Sequence, residues 1–140
     1  MQTFLVSPDF HISAACLDPS RLGNQVYREA LTLIRGGWPH HRASKMWRGY
    51  TRALAMYGLA CLDELKKRGW FYPRHYKTFM DFYENSPDTG MPWWLGDERL
   101  HSSHRAALLY KNYDYYKQFG WKELPAVPDK KERLGYFWPV

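Results

Sequence analysis

Residues 43–68, ASKMWRGYTRALAMYGLACLDELKKR, carry a clear helical periodicity within the 140-residue chain. Apolar side chains recur close to every 3.6 residues, which places them on one face of a helix. The members of this apolar stripe are Trp47, Tyr50, Leu54, Tyr57, Cys61 and Leu65. Cationic side chains project from the other side, and Gly69 is a typical helix end. We therefore predict a single long amphipathic helix over residues 43–68.

One further helix is predicted on each side of it. The first opens at Asp18-Pro19, where Asp can cap the free backbone N–H groups and Pro fits the first turn, and it closes at Gly36-Gly37. Its apolar face is formed by Leu22, Val26, Ala30 and Leu33, and its polar face by Arg21, Gln25, Arg28 and Thr32. The other helix is capped by Asp97, and its inward residues are Leu100, Ala107 and Leu108.

Pro and Gly punctuate the chain between these helices. Four of them, Pro73, Pro87, Gly90 and Pro92, predict that residues 71–96 are irregular. The aromatic surface expected there consists of Tyr83, Trp93 and Trp94. The tail from Lys111 is dense in tyrosine, and strand signals are few. Because the length is that of one domain, we predict a compact all-α single domain over 1–140, with three main helices and aromatic-rich irregular segments.

The charge balance favours a polyanionic partner. Lys and Arg number 20 against 14 Asp and Glu, which gives a formal charge of +6, and 18% of the residues are aromatic. No acidic residue occurs between Glu29 and Asp63, so the basic helix face lacks a local counter-charge. Its cations, which we expect to follow phosphates, are Arg42, Lys45, Arg48 and Arg52. Aromatic rings beside them would stack on bases, whereas the alternative is an ordinary solvated helix surface.

Cysteine usage and hydropathy favour a reduced, cytoplasmic protein. Cys16 and Cys61 lie in apolar surroundings without a metal-ligand spacing, so both are predicted to be reduced core residues. The N-terminus lacks the pattern of a signal peptide, and no apolar run approaches the roughly 20 residues of a membrane span. We expect no cofactor, no metal and no membrane association.

Glu29 is the best single catalytic candidate. It lies on the border between the apolar and polar faces of the first helix, where lost solvation raises a carboxyl pKa towards general acid/base use. Arg21 and Arg28 are near it in sequence and could bind phosphate. The structural alternative is an ordinary ion pair of Glu29 with Arg28 or Arg52.

The six histidines include a pair, His101 and His104, at helical i, i+3 spacing. No metal-binding motif accompanies them. We expect imidazole contacts with phosphate or with backbone groups, and Arg105 follows directly in the same segment.

Several stretches carry a family resemblance. Residues 27–31, YREAL, resemble the YREL or WREAL segment of the pyrimidine-dimer DNA glycosylases of the phage endonuclease V type. Residues 46–70 are similar to the long central helix of that family, and residues 95–121 to its final helix and aromatic ending. A bacterial and phage branch of the family is more similar still, through MQTFL at 1–5, RLGNQ at 21–25, MWRGY at 46–50 and PWWLGDERLHSSHR at 92–105.

The resemblance implies a reaction and its two catalytic groups. In the family an N-terminal α-amine attacks the sugar C1′ and expels the base, and a glutamate that corresponds to Glu29 assists ring opening and β-elimination. An α-amine suits this role because its usual pKa is about 8, whereas lysines are mostly protonated. Since the bulk of Gln2 should block removal of Met1, the nucleophile here would be the amine of Met1.

We therefore expect a monomeric DNA glycosylase and AP lyase acting on damaged or modified bases, most simply in double-stranded DNA. The residues predicted to contact DNA are Arg21, Gln25, Arg28, Arg42, Lys45, Arg48, Arg52, His101, His104 and Arg105. Two alternatives stay open at this point. One is a DNA-binding module without catalysis, and the other is an enzyme on modified nucleotides that uses His101 and His104.

Overall fold

The computed structural model describes residues 1–126 and 135–140, and every regular element within these ranges is helical. The α-helices are α1 Phe10–Cys16, α2 Pro19–Asn24, α3 Leu31–Ile34, α4 Arg42–Trp47, α5 Thr51–Lys67, α6 Pro73–Asn85, α7 Glu98–Lys111 and α8 Tyr113–Tyr116. A π-helical turn, Gln25–Ala30, joins α2 to α3, and a 3₁₀ turn, Lys117–Phe119, follows α8. The all-α prediction is confirmed.

The first predicted helix is a continuous helical run over residues 19–34 with the π-helical turn at its centre. Asp18 caps it as predicted, because its carboxylate accepts the Arg21 N–H at 3.0 Å. The predicted apolar face is confirmed, since all its members are buried: Leu22, Val26, Ala30 and Leu33. Gln25, predicted on the polar face, is only 1% exposed, so its assignment to that face is wrong.

The predicted helix over 43–68 is two helices, which corrects the single-helix prediction. α4 ends at Trp47, and the chain turns at Gly49, whose φ of +85° lies in the left-handed region that favours glycine. α5 then begins at Thr51, where the Asp88 carboxylate accepts the N–H groups of Thr51 (3.1 Å) and Arg52 (3.0 Å). A distant aspartate thus caps the second helix, which allows the break.

The prediction of an irregular segment over 71–96 is also wrong, because α6 occupies residues 73–85. Pro73 is the first residue of this helix, a position where the missing N–H costs nothing. α6 packs closely on α5: a Cβ atom added to Gly58 would lie 2.5 Å from the Phe79 ring. Trp94 is fully buried, not on the surface, and its indole N–H donates to the Met46 carbonyl at 3.0 Å.

The third predicted helix is confirmed as α7, which Asp97 caps by accepting the Arg99 N–H. Its predicted inward residues Leu100, Ala107 and Leu108 are buried. Cys61 is buried, Cys16 is half-buried, and both thiols are free, as predicted. No helix in the described ranges combines the length and the apolar character needed to cross a membrane.

Residues 2–6, here called the N-terminal segment, have no regular secondary structure and lie in the hydrophobic core. All of its residues are buried, while Met1 in front of it is exposed. The C-terminal residues pack on it too, since the Tyr136 ring contacts the rings of Phe4 and His104 edge-on. The N-terminal segment is therefore held inside the fold, while Met1, which precedes it, lies at the surface.

Candidate active site and DNA-facing surface

A surface cavity of about 580 Å³ brings the two predicted catalytic residues together. Met1 reaches it from the N-terminal segment, and Glu29 reaches it from the π-helical turn. The residues that line the cavity are Met1, Tyr27, Arg28, Glu29, Thr32, Trp38 and His41. Its volume lies in the usual range of small-molecule sites.

Glu29 is half-buried at this cavity, and its Oε2 atom is buried without a hydrogen-bond partner. Burial raises the pKa of this carboxyl above its usual value. The Met1 α-ammonium, the Gln2 backbone N–H and the Arg28 guanidinium oppose that rise, in decreasing order. The carboxylate is therefore poised to exchange a proton closer to neutral pH than an exposed glutamate.

The alternative interpretation of Glu29, an ordinary ion pair, has no support in the geometry. Within the described ranges Glu29 forms no ion pair with either arginine or with the α-amine. The Arg52 guanidinium instead donates to the Tyr83 hydroxyl at 2.8 Å and lies over that ring, 4.4 Å from its centroid. The amine and the carboxylate thus share a cavity without neutralising each other by direct contact.

The local backbone explains how one helix can supply these groups. Tyr27, Arg28 and Glu29 lie in the π-helical turn Gln25–Ala30. A π-helical turn is wider than an α-helical one and occurs frequently at functional sites. Tyr27 and Arg28 are exposed at the cavity, while Gln25 at the start of the same turn points into the core.

Gln25 holds the N-terminal segment by its backbone. Its Oε1 accepts the Phe4 N–H at 2.9 Å, and its Nε2 donates to the Gln2 carbonyl at 3.1 Å. The buried Tyr57 hydroxyl lies 2.9 Å from the Phe4 carbonyl and 2.7 Å from Gln25 Oε1. One amide side chain thus replaces the hydrogen bonds that a neighbouring strand would provide.

We call the side chains that bind the backbone of the N-terminal segment the clamp. Gln25 and Tyr57 form one part of it, and His101 and His104 add a second part from α7. The Gly96 N–H donates to His101 Nε2 at 2.9 Å, so His101 Nδ1 carries the proton and donates to the Leu5 carbonyl at 2.7 Å. The Leu5 N–H donates to His104 Nδ1 at 2.9 Å. Burial, and then the electrostatic influence of the neighbouring His101 and Arg105, lower the pKa of His104 to about 3.

Both imidazoles are fully buried, which corrects the expectation that they face DNA. They contact backbone groups, one of the roles predicted for them besides phosphate contacts and helix capping. The hypothesis of an enzyme that uses an exposed His101/His104 patch consequently loses its structural basis. No cluster of three or more potential metal ligands occurs in residues 1–126 and 135–140.

Two further side chains complete the clamp. The Trp47 indole N–H donates to Thr3 Oγ1 at 2.9 Å, and Arg105 Nη1 donates to the Val6 carbonyl at 2.8 Å. The Arg105 guanidinium also forms ion pairs with Glu98 and Glu123. Arg105 is half-buried, and its guanidinium is already paired with carboxylates of the protein itself.

The clamp is the part of the site that sequence reasoning missed. The sequence predicts that Gln25, His101 and His104 lie at the surface and contact DNA. Each of the three is a polar residue beside buried positions of an amphipathic helix, which is the only sign of its role that the sequence carries. Their hydrogen-bond partner, the N-terminal segment, has no periodic pattern that would predict its burial.

The predicted phosphate-binding cations divide into accessible and engaged ones. Exposed side chains belong to Arg28 at the cavity and to three residues on or just after α4: Arg42, Lys45 and Arg48. Arg48 donates at 2.9 Å to the carbonyl of Pro39, which lies in the loop over residues 36–41 that lines the cavity through Trp38 and His41. The Arg42 guanidinium lies 5.6 Å from the Trp138 ring centroid. Arg21 and Arg52 are half-buried, and Arg21 is paired with Asp18. The accessible cations are thus near the cavity in sequence and fold.

In this all-helical fold, one cavity thus offers a ligand an α-amine, a half-buried carboxylate and an exposed guanidinium. The family described as pyrimidine dimer DNA glycosylase matches residues 1–80, and the chain belongs to that family. The matched part contains every residue of the cavity, whereas the α7 half of the clamp lies beyond it. Membership supports DNA as the substrate. No curated protein and no solved structure matches the chain significantly.

Proposed function

We propose that the protein is a DNA glycosylase with an associated AP lyase activity, acting as a monomer on a damaged or modified base in duplex DNA. The observation that carries this proposal is the shared cavity of the Met1 α-amine and Glu29. The exposed cations on α4 and Arg28 would hold the phosphates on either side.

In the first step the unprotonated α-amine attacks C1′ of the damaged nucleotide. The N–C1′ bond forms as the bond from C1′ to the base breaks, and the base leaves with that electron pair and takes up a proton. An α-amine is suited to this because an appreciable fraction of such amines is unprotonated near neutral pH. The clamp on the N-terminal segment fixes where this amine lies.

In the second step the nitrogen loses a proton, the C1′–O4′ bond breaks as the C1′=N bond forms, and O4′ takes up a proton, which leaves a protonated imine between the amine and C1′. The Glu29 carboxylate accepts a proton from C2′, the C3′–O bond breaks, and the 3′ phosphate leaves with its electron pair. Water then hydrolyses the imine and frees the amine. The raised pKa of Glu29 makes it a stronger base for this proton transfer than an exposed glutamate.

Trapping with borohydride tests the proposal. A duplex with one abasic site is incubated with the protein, the imine is reduced, and the adduct is mapped by mass spectrometry. We expect a covalent adduct on residue 1 of a chain that retains Met1. An adduct on a lysine would refute the amine assignment, and duplex binding without any adduct would make the protein a DNA-binding module.

A further inference from the structure

Tyr27 links the catalytic cavity to the start of α6. Its side chain lines the cavity together with Glu29. The same ring contacts the rings of Tyr72 and His75 edge-on, with centroids 5.5 Å and 5.2 Å away. Tyr72 directly precedes α6, and His75 lies in its first turn. Through this aromatic contact the cavity continues into the surface at the start of α6.

A different lining residue links the cavity to α4. His41 lines the cavity, and its Nδ1 accepts the Ala43 N–H at 2.9 Å, so His41 caps α4. The exposed cations of α4 are therefore reached through His41, whereas the start of α6 is reached through Tyr27. The beginnings of two helices thus flank the cavity, and we call these regions its α4 flank and its α6 flank.

Two arginines from separate elements lie together on the α6 flank. Arg35 directly follows α3, Arg74 is the second residue of α6, and both are exposed. Burial, and then the charges of Arg35 and Arg74, lower the pKa of the His75 imidazole, which places both guanidinium groups close to that ring. We call Arg35 and Arg74 the α6 pair.

The α6 pair has no counter-charge of its own. Neither arginine forms an ion pair within residues 1–126 and 135–140, and the first turn of α6 contains no acidic residue. Lys77, about one turn further along α6, instead pairs with Asp81 at 3.0 Å. Two cations held near one imidazole repel each other, and a bound anion would offset that repulsion.

We propose that the α6 pair binds the phosphodiester backbone of DNA on the α6 flank of the cavity, an inference that rests on the proposed glycosylase function. The ligand group is a phosphate, which a guanidinium can bind through two parallel N–H groups. The cations of α4 then hold the backbone on one flank and the α6 pair holds it on the other. Contacts on both sides of the reacting nucleotide would fix its C1′ atom relative to the α-amine.

The salt dependence of duplex binding tests the α6 pair. Affinities are measured at several salt concentrations for a duplex that contains tetrahydrofuran, a stable abasic analogue. Arg35→Ala and Arg74→Ala should each reduce the slope of log affinity against log salt by about 1, and together by about 2. Arg74→Lys keeps the charge and should keep the slope. Lys77→Ala loses the same charge from the same helix and should leave the slope unchanged.

Neutral phosphates locate the contact on the DNA. In a series of otherwise identical duplexes, one phosphate at a time is replaced by an uncharged methylphosphonate. Loss of a phosphate that the α6 pair contacts should weaken binding of the native protein by about 10-fold, but should hardly change the affinity of the Arg35→Ala/Arg74→Ala variant. The same comparison with Lys45→Ala/Arg48→Ala should identify phosphates on the other side of the abasic nucleotide.

The outcomes separate this inference from the proposed function. The α6 contact is wrong, although duplex binding stands, if no phosphate position depends on Arg35 and Arg74 or if Lys77→Ala reduces the slope as much as Arg74→Ala does. The arrangement on two flanks is wrong if both double variants identify the same phosphates. If the native protein binds no duplex at any salt concentration, the proposed function itself fails, and the inference fails with it.

Discussion

The N-terminal segment and the loop that carries Trp38 both lead to the same cavity, but they are built in contrasting ways. Every residue of the segment is buried, and its backbone is bonded to side chains from the π-helical turn, α5 and α7. The loop over residues 36–41 is mostly exposed, and it contains Trp38, whose side chain is exposed and whose backbone has a strained positive φ. A reacting atom needs a fixed position, whereas a surface that receives DNA needs access. The N-terminal segment thus fixes the position of the α-amine, while the loop over residues 36–41 leaves the cavity accessible to a ligand.

Glu29→Gln should give the largest effect on the fixed side of the cavity. The amide keeps the shape and much of the hydrogen bonding, but it cannot accept a proton. We expect nicking at an abasic site to slow by about 100- to 10,000-fold, while the affinity for duplex changes by less than about 2-fold. Single-turnover rates and binding titrations measure the two quantities, with Glu84→Gln, an exposed carboxyl on α6, as the control. Weak binding with normal turnover would make Glu29 structural.

The same carboxyl sets an expected pH dependence. Because its pKa is raised, the basic form of Glu29 is lost as pH falls through a value higher than the usual carboxyl range. The acidic limb of the nicking rate should therefore lie above about pH 4.3. Because the α-amine must also be unprotonated, both proteins lose activity in acid, but the rate of Glu29→Gln should fall less steeply with pH across that limb.

Moving the amine should be nearly as damaging as removing the carboxylate. One glycine added in front of Met1 displaces the α-amine by about 3.5 Å, a shift that the clamp prevents the chain from correcting. A displacement of even about 1 Å can cost about 100-fold, so nicking should fall by at least that factor while duplex binding persists. One glycine added after Val140, which is exposed at the other terminus, is the matched control. Equal nicking by both extended proteins would exclude the amine as nucleophile.

The fixed and exposed regions also differ in how far sequence could predict them. Local signals were reliable: the Asp18 and Asp97 caps and the apolar faces of the first and third predicted helices are where the residues predicted them. The sequence does not predict α6 because proline usually ends a helix, whereas Pro73 occupies the first position of this one. The break at Gly49 was missed because its stabilising partner, Asp88, lies far along the chain.

The candidate site shows the same division. The border position of Glu29 follows from the periodicity of its own helix, and Met1 enters the candidate site through the chemistry of the family. The clamp could not be predicted, since the Leu5 N–H finds its acceptor in His104, 99 residues away. The positive φ of Trp38 could not be predicted either, because such a conformation leaves no mark in the residue type. Burial of polar side chains and backbone strain are properties of the assembled fold.

The clamp predicts a pH dependence of stability. His104 has a pKa of about 3 in the folded state, whereas an unfolded histidine titrates near 6.5. The unfolded chain therefore binds the extra proton, and the free energy of unfolding falls as pH drops from about 6.5 towards 3, by up to about 1.4 kcal/mol per pH unit. His104→Asn keeps an acceptor for the Leu5 N–H and should reduce this slope, which denaturant unfolding at pH 7 and pH 5 measures. His11→Asn, at an exposed histidine, should leave it unchanged.

The smallest expected effect distinguishes the exposed cations beside the cavity from exposed cations elsewhere on the surface. Lys45 and Arg48 are exposed close to the loop over residues 36–41, so replacing both with Ala should remove two of the phosphate contacts that we expect. The slope of log affinity against log salt should then shrink by about 2. Lys66 and Lys67, in the last turn of α5 and outside the cavity lining, provide a control with the same change in net charge and should leave the slope unaltered. If both pairs reduce the slope equally, the protein's overall charge attracts DNA, and α4 has no special part in the interface. If only the pair at α4 does so, DNA lies across the exposed wall of the cavity while the buried wall keeps the amine in place.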